Sequence, residues 1–423
     1  MLKALTLSAI LILCVSGFDS ARAQSVFRMS PPDTTIPSEE EDSLFIPRKL
    51  TLNEQTDIVD IVDIYLLKKG DIPRTDTGEI RSSKLRLSGI PAAGYTLQTG
   101  FAAVVTGNGA FFTDTDAHTS TLLTSFTYTV RSQIIFPFQA TIWTPGNKYC
   151  ISVDWRYLQF PSYTFGLGQN STLGDGYMID YSTIHLHQTV LRQLVNNLFL
   201  GIGYNYDYYW NIKELDPPAG KTTDFESYGL SSKEFASGLT FNFLYDSRAN
   251  SINPEKGTYI NAIYRPNLKP LGNDSTWRSL VLDLRQYVNM PKGSRNVLAF
   301  WSYEWLTLGG RPPYLMLPNT GSDPYSNTGR GYIQGRFRGL NMAYVEAEYR
   351  FAITNNGLFG GVIFANAESF TLRNNADFQI ISPGWGAGIR LKLNKYSRTN
   401  VALDYGFGTG GSGGVFVNLG EVF

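Results

Sequence analysis

Asn341-Met342-Ala343-Tyr344-Val345-Glu346-Ala347-Glu348-Tyr349-Arg350-Phe351 decides the fold, together with the stretch that runs into it, Gly329-Arg330-Gly331-Tyr332-Ile333-Gln334-Gly335-Arg336-Phe337-Arg338-Gly339. The second of these reads as a loop: Gly and Arg dominate it, and Pro312, Pro313, Pro318 and Pro324 precede it. The first alternates. Tyr344, Glu346, Glu348 and Arg350 fall on one face of an extended strand, and Val345, Ala347, Tyr349 and Phe351 on the other. A ribbon that is greasy on one side and charged on the other suits a soluble sheet or the wall of a barrel.

Outward from this stretch the same period recurs. Leu200, Ile202, Tyr204, Tyr206 and Tyr208 alternate with Gly201, Gly203, Asn205 and Asp207. Phe235, Leu239, Phe241, Phe243 and Tyr245 oppose Glu234, Thr240, Asn242 and Asp246. Ile389, Leu391 and Leu393 oppose Gly388, Arg390 and Lys392, and Val401, Leu403, Tyr405 and Phe407 oppose Asn400, Ala402, Asp404 and Gly406. A sandwich would bury the apolar face against a second sheet. A membrane barrel turns it to lipid and encloses the polar face.

Length and parity decide between the two. Strands are predicted at 84–94, 99–113, 119–129, 133–142, 148–160, 177–190, 197–210, 234–247, 256–267, 276–289, 296–308, 338–351, 357–369, 384–393, 399–408 and 414–423. Many reach the roughly 9–11 residues that a tilted strand needs to cross a bilayer. The connections after even strands are mostly short (144–147, 191–196, 291–295, 352–356, 394–398), whereas several after odd strands are long (161–176, 211–233, 309–337, 370–383). That asymmetry predicts an all-β fold: a transmembrane antiparallel β-barrel of about sixteen strands over 84–423, short turns in the periplasm. The link after Thr129 is the exception, short where a long loop was allowed. Aromatics at strand ends (Trp143, Tyr149, Tyr208, Tyr209, Trp210) suit interface girdles. Of the 423 residues 14% are aromatic, 41 are glycine and only 17% are charged, which also suits a barrel. The 36 basic and 36 acidic residues balance and argue against a nucleic-acid partner.

Ahead of the barrel, Met1-Leu2-Lys3, an apolar run from Ala4 to Val15 and Ala21-Arg22-Ala23 read as a signal peptide over 1–23. Residues 24–50, with four prolines around Ser38-Glu39-Glu40-Glu41-Asp42, read as a disordered linker. Residues 51–83 read as a short periplasmic extension, in which Ile58, Ile61, Val62, Tyr65 and Leu66 have the spacing of an amphipathic helix. Removal of the leader takes Cys14 with it and leaves Cys150 alone, so no internal disulfide is expected.

From about Lys84 to Phe423 the chain resembles the BamA/TamA superfamily of outer-membrane assembly barrels, in its short form without POTRA domains. Three motifs carry the resemblance. Tyr245-Asp246-Ser247-Arg248-Ala249-Asn250 with Asn253-Pro254-Glu255-Lys256-Gly257-Thr258-Tyr259 is similar to the family's periplasmic turn between the eighth and ninth strands. Pro254 presets such a turn and Gly257 gives it a permissive exit. Arg330-Gly331-Tyr332 is similar to the tip of the sixth long loop, and Glu348-Tyr349-Arg350-Phe351 to the twelfth strand. The resemblance implies that the tip folds into the lumen, where Arg330 pairs with Glu348. Asn366 stands where the family usually has Asp, so the clasp either loses a charge or recruits Glu346. Residues 25–83 are too few for a set of POTRA domains.

A weak seam between the first and last strands is expected from Gly89, Pro91, Gly94 and Gly420, with Phe423 as the aromatic end of the last strand. Glu421 stands where a C-terminal assembly signal prefers an apolar residue. The Gly410-Gly411-Ser412-Gly413-Gly414 run imitates a nucleophile elbow, and Gly406, Gly408 and Gly411 a dinucleotide loop, without the flanking elements either one needs. His185 and His187 share a strand face, but no further ligand is evident and His118 is assigned to a turn, so no metal or cofactor is expected. Asp154, Arg156, Asp283, Arg285, Arg390, Lys392 and Asp404 read as a lumenal ladder of ion pairs, and no catalytic group is expected.

The expected role is insertion or assembly of outer-membrane proteins, with membrane lipids and unfolded client barrels or an assembly complex as partners. A pore or transporter for a small solute or lipid is the alternative, and an anchor for a partner held by residues 25–83 a third.

Overall fold

The computed structural model describes residues 48–62, 64, 85–96, 98–115, 117–229, 231–372, 378, 380–395 and 397–423. The expected signal peptide, the linker up to residue 47, and Tyr65 and Leu66 of the expected helix lie outside them. The strands are β1 (Arg86–Thr96), β2 (Gly100–Phe111), β3 (Ser120–Thr129), β4 (Ile134–Trp143), β5 (Tyr149–Gln159), β6 (Ser162–Thr164), β7 (Tyr177–Val195), β8 (Leu198–Leu215) and β9 (Lys233–Asp246). They continue as β10 (Gly257–Asn267), β11 (Trp277–Asn289), β12 (Val297–Gly309), β13 (Asn341–Ala352), β14 (Phe359–Thr371), β15 (Ser382–Asn394), β16 (Thr399–Gly408) and β17 (Gly413–Leu419).

Sixteen staves form the wall, because β5 and β6 are one stave broken in the middle. Both pair with β7, β5 through residues 182–192 and β6 through 177–179. Pro161 lies at the break, where its missing N–H interrupts the ladder. Phe160 N bridges the gap by donating to Tyr181 O at 2.8 Å. The other staves pair antiparallel, each with its successor in the chain. This is the all-β barrel that period-two alternation and loop parity predict.

The alternation resolves into lipid face and lumen face. Ile202, Phe241, Ile389 and Leu403 are exposed on the outside, whereas Asp207, Thr240, Arg390 and Asp404 on the same strands are buried inside. Inside, one cluster joins Tyr287, Trp301, Tyr303, Tyr332, Phe337, Met342, Tyr344, Phe370 and Phe423. A second packs Tyr177, Tyr209, Phe225, Trp277 and Tyr314 near the long-loop end.

The last strand departs from the sequence reading. β17 ends at Leu419 rather than at 423. Gly420 takes φ +96°, a left-handed turn open to glycine, and the chain bends into the lumen. Phe423 is 3% exposed and stacks on Trp301 at a centroid distance of 5.1 Å. It fills the interior and does not finish a lipid-facing strand. β1 and β17 lie side by side at the closure, yet no backbone ladder joins them among the described residues.

The short-turn end has a floor. Of the expected helix, the described residues include an α-helical turn, Ile58–Ile61, capped by Asp57 Oδ1 accepting from Asp60 N at 2.8 Å. Lys395 fixes it there, donating from N to Asp57 Oδ2 at 2.9 Å and from Nζ to Asp60 Oδ2 at 3.0 Å. Thr56 N also donates to Asn356 O at 3.0 Å.

The two faces predict opposite labelling in vesicles. Ile202→Cys is shielded by acyl chains from a charged maleimide, whereas Thr189→Cys, on the lumen face, is modified. Equal rates at both positions would mean that the exposed apolar face does not meet lipid.

Candidate functional site: an arginine cage in the lumen

The loop 310–340 joins β12 to β13 and doubles back on itself. Thr320 N donates to Phe337 O at 3.0 Å, and Gly335 N to Thr320 O at 2.9 Å. Asp323 gathers the tip by accepting from Tyr325 N (3.1 Å), Asn327 N (2.8 Å) and Thr328 N (2.6 Å). Burial pushes the Asp323 carboxyl up from its ordinary range, against the downward pull of the donors from Thr328 and Tyr325.

Arg330 at the tip is fully buried. Its Nη1 donates to Asp404 Oδ2 at 2.6 Å, and its Nη2 to Glu348 Oε2 at 2.5 Å and to Glu346. Phe364 lies under the guanidinium at 3.7 Å from the ring centroid, a cation–π contact. Tyr344 OH donates to Glu346. Burial opposes the charge on Arg330, but Glu346, Glu348 and Asp404 outweigh it and hold the pKa above the usual arginine value. Asn366 brings no charge to the clasp: its Nδ2 donates to Arg330 O at 2.9 Å, so it holds the backbone of the tip.

The contacts close into a ring. Asp404 Oδ1 meets Arg390 Nη1 at 2.5 Å, and Arg390 Nε meets Glu421 Oε2 at 2.7 Å. Glu421 lies 3.7 Å from Arg350 Nε, which pairs with Glu348 at 2.5 Å. Three guanidinium groups therefore interleave with four carboxylates, and the inturned tail belongs to the cage. Arg350 Nη2 also donates to Phe423 O at 2.8 Å, and Asn327 Nδ2 to Val422 O at 2.8 Å. Loop tip and tail are thus tied directly as well as through charge.

The wall has been thinned to admit the tip. Gly384, Gly386 and Gly388 on β15, with Gly406 and Gly408 on β16, occupy inward positions. A Cβ on Gly406 would lie 2.7 Å from Gly331 N, and one on Gly408 2.6 Å from the Tyr332 ring. Gly331 itself, at φ +113°, rests against the Phe407 backbone. Gly406 and Gly408, two of the three glycines that imitate a dinucleotide loop, form part of the seat of the tip. Sequence reasoning missed this seat, although the inward parity of 404, 406 and 408 marks it. It also left Asp404 and Glu421 outside the clasp.

The other expected site residues lie as follows. Arg248 pairs with Asp246 at 2.8 Å and stacks over Tyr259 at 4.2 Å. Asn250 Oδ1 accepts from Ile252 N and Asn253 N at 2.9 and 2.8 Å. Tyr245 pairs with Leu198 in the ladder, Pro254 is buried, and Gly257 takes φ +116°. Ile252 O of this turn accepts from Glu421 N at 3.1 Å, so the turn supports the tail from below. Gly89, Pro91 and Gly94 of β1 pair with Gly107, Val105 and Ala102 of β2. Gly420 bends the tail away from the wall, and Phe423 with it.

No family model and no curated protein matches the sequence. Solved structures do match the fold. BamA from Haemophilus ducreyi lacking POTRA domains 1-3 is 12% identical with a TM-score of 0.51, the match covering 80% of this chain and 70% of that one. CdiB from Acinetobacter baumannii is 12% identical (TM-score 0.52) and CdiB from Escherichia coli 9% (TM-score 0.50), each over 80% of this chain and 60% of that one. At these identities the likeness is one of fold, and this chain spans about 60% of the length of either CdiB chain.

Two substitutions test the cage from opposite sides. Arg330→Ala strands buried carboxylates and costs about 3–5 kcal/mol, read as a lower unfolding midpoint and new protease cuts within 310–340. Gly406→Leu removes no charge but fills the seat, and produces the same cuts. Wild-type protease patterns in both variants would show that the tip is not held there.

Proposed function

We propose that this chain is an outer-membrane barrel that inserts or assembles outer-membrane proteins, alone or as an accessory subunit, by offering the edges of β1 and β17 to an incoming strand. The observation that carries the reading is the seam. Every other neighbouring pair of staves is joined by a ladder, while β1 and β17 meet without one among the described residues. An unpaired strand edge presents rows of N–H and C=O groups that a client strand can satisfy by main-chain pairing.

The geometry of the tail supports it. With Gly420–Phe423 drawn into the lumen, β17 offers seven residues where β1 has eleven. The mismatch leaves part of the β1 edge facing lipid. Likeness of fold to BamA adds an argument by analogy, which is weaker than the seam itself. Export by the expected signal peptide and residence in the outer membrane belong to the same reading, with membrane lipids and unfolded barrel proteins as partners. A solute pore is less well supported, because the loop tip and the tail occupy the lumen.

The test is a reconstituted barrel with cysteine pairs across the seam, one in 91–94 and one in 415–419. Cys150 is buried and stays in place. The reduced barrel accelerates folding of an added client barrel into liposomes, and oxidation abolishes the acceleration until reductant restores it. No acceleration in either state would sink the assembly role, and selective conductance in both would favour the pore.

A further inference from the structure

We propose that His185, His187 and Asp207 form a transition-metal site on the lumen wall, at β7 and β8. His185 Nδ1 lies 2.5 Å, and His187 Nε2 2.8 Å, from the same Asp207 Oδ1. All three ligand atoms fall within 4.8 Å of one another. The third ligand, hidden from the sequence reading, comes from register: Asp207 stands directly opposite His185 in the β7–β8 ladder. This revises the expectation that the two histidines hold no metal.

The use of different ring nitrogens follows from strand geometry. Two residues apart on one face, the imidazoles start roughly 6–7 Å apart. One must present its near nitrogen and the other its far nitrogen to reach a common point. The rings stand perpendicular with centroids 5.8 Å apart, as two ligands converging on one ion would.

Each of two ligands has an outer partner that fixes it. Thr183 Oγ1 lies 3.2 Å from His185 Nε2, where it can hold the proton and leave the Nδ1 lone pair pointing inward. Arg265 Nη1 lies 2.6 Å from Asp207 Oδ2 and orients the carboxylate with Oδ1 toward the histidines. Small inward residues on the intervening strand, Ala236 and Gly238, let the Arg265 side chain pass over β9 to β8. His187 is about a third exposed, so water from the lumen can complete the coordination.

Charge and donor type select the metal. Arg265 cancels the charge of Asp207, and neighbouring Asp154, opposite His187, is paired with Arg156 at 2.5 Å. The site attracts cations through nitrogen ligation rather than through net charge. Two imidazoles and one carboxylate suit Zn²⁺, Ni²⁺ or Cu²⁺, whereas Mg²⁺ and Ca²⁺ prefer all-oxygen sets.

The experiment uses the untagged full-length barrel folded in detergent and dialysed against Zn²⁺. Wild type takes up one zinc per barrel that excess Mg²⁺ and Ca²⁺ do not displace. His187→Gln, whose amide still donates to Asp207, folds as wild type and binds about tenfold or more weaker. His118→Gln, at the Trp143 ring away from the cluster, keeps wild-type binding. With Cu²⁺, electron paramagnetic resonance shows coupling to two nitrogens in wild type and one in His185→Gln. Zinc uptake equal in wild type and the His185→Gln/His187→Gln double variant, or its displacement by Mg²⁺, would overturn the site.

Discussion

Taking charge out of water is the constraint that shapes this barrel. Arg330 is fully enclosed, and a guanidinium so placed is tolerable only with its donors answered by carboxylates. Glu346, Glu348 and Asp404 answer it from two well-separated parts of the wall, and Arg350 and Arg390 answer their excess charge in turn. Because the planar fork makes directed contacts, the tip has one register in the lumen rather than many. The inward glycines of β15 and β16 follow from the same demand, since a side chain at Gly384 or Gly406 would collide with the Arg330–Gly331 backbone and one at Gly388 with Asp404 itself.

The cage also explains why the tail turns in. Glu421 brings the carboxylate that bridges Arg390 and Arg350, and Phe423 covers the aromatic floor made by Trp301 and Tyr287. A strand continued straight beyond Leu419 would leave both arginines short of a partner. The closure of the wall and the filling of the lumen therefore draw on the same four residues. What the interior gains, the last ladder loses.

Alternation is a local property, and so the staves, their faces and the parity of their connections were legible in the chain. The cage was legible only in part. Arg330 and Asp404 are separated by 74 positions, and what joins them is the curvature of the sheet from β13 to β16, which no window of sequence contains. Asp207 as neighbour to His185 needed the β7–β8 register, fixed by shifts near Asp180 and Gln193 that leave no clear mark in composition. The tail was misread for a different reason. Val415 to Leu419 alternate well enough to suggest a strand running on, and a single glycine at 420 with a positive φ overrides the pattern.

β7 and β8 have 19 and 18 residues, nearly twice what a tilted strand needs to cross the apolar layer. At about 3.3 Å per residue they rise well above the bilayer. The strands nearest the seam are shorter, with 11 residues in β1, 10 in β16 and 7 in β17. The rim therefore slopes like a raked collar, tall at the back and cut away at the front, where β1 meets β17. A bulky body descending on the long-loop end would be fended off by the paired far ends of β7 and β8 and guided toward the low lip.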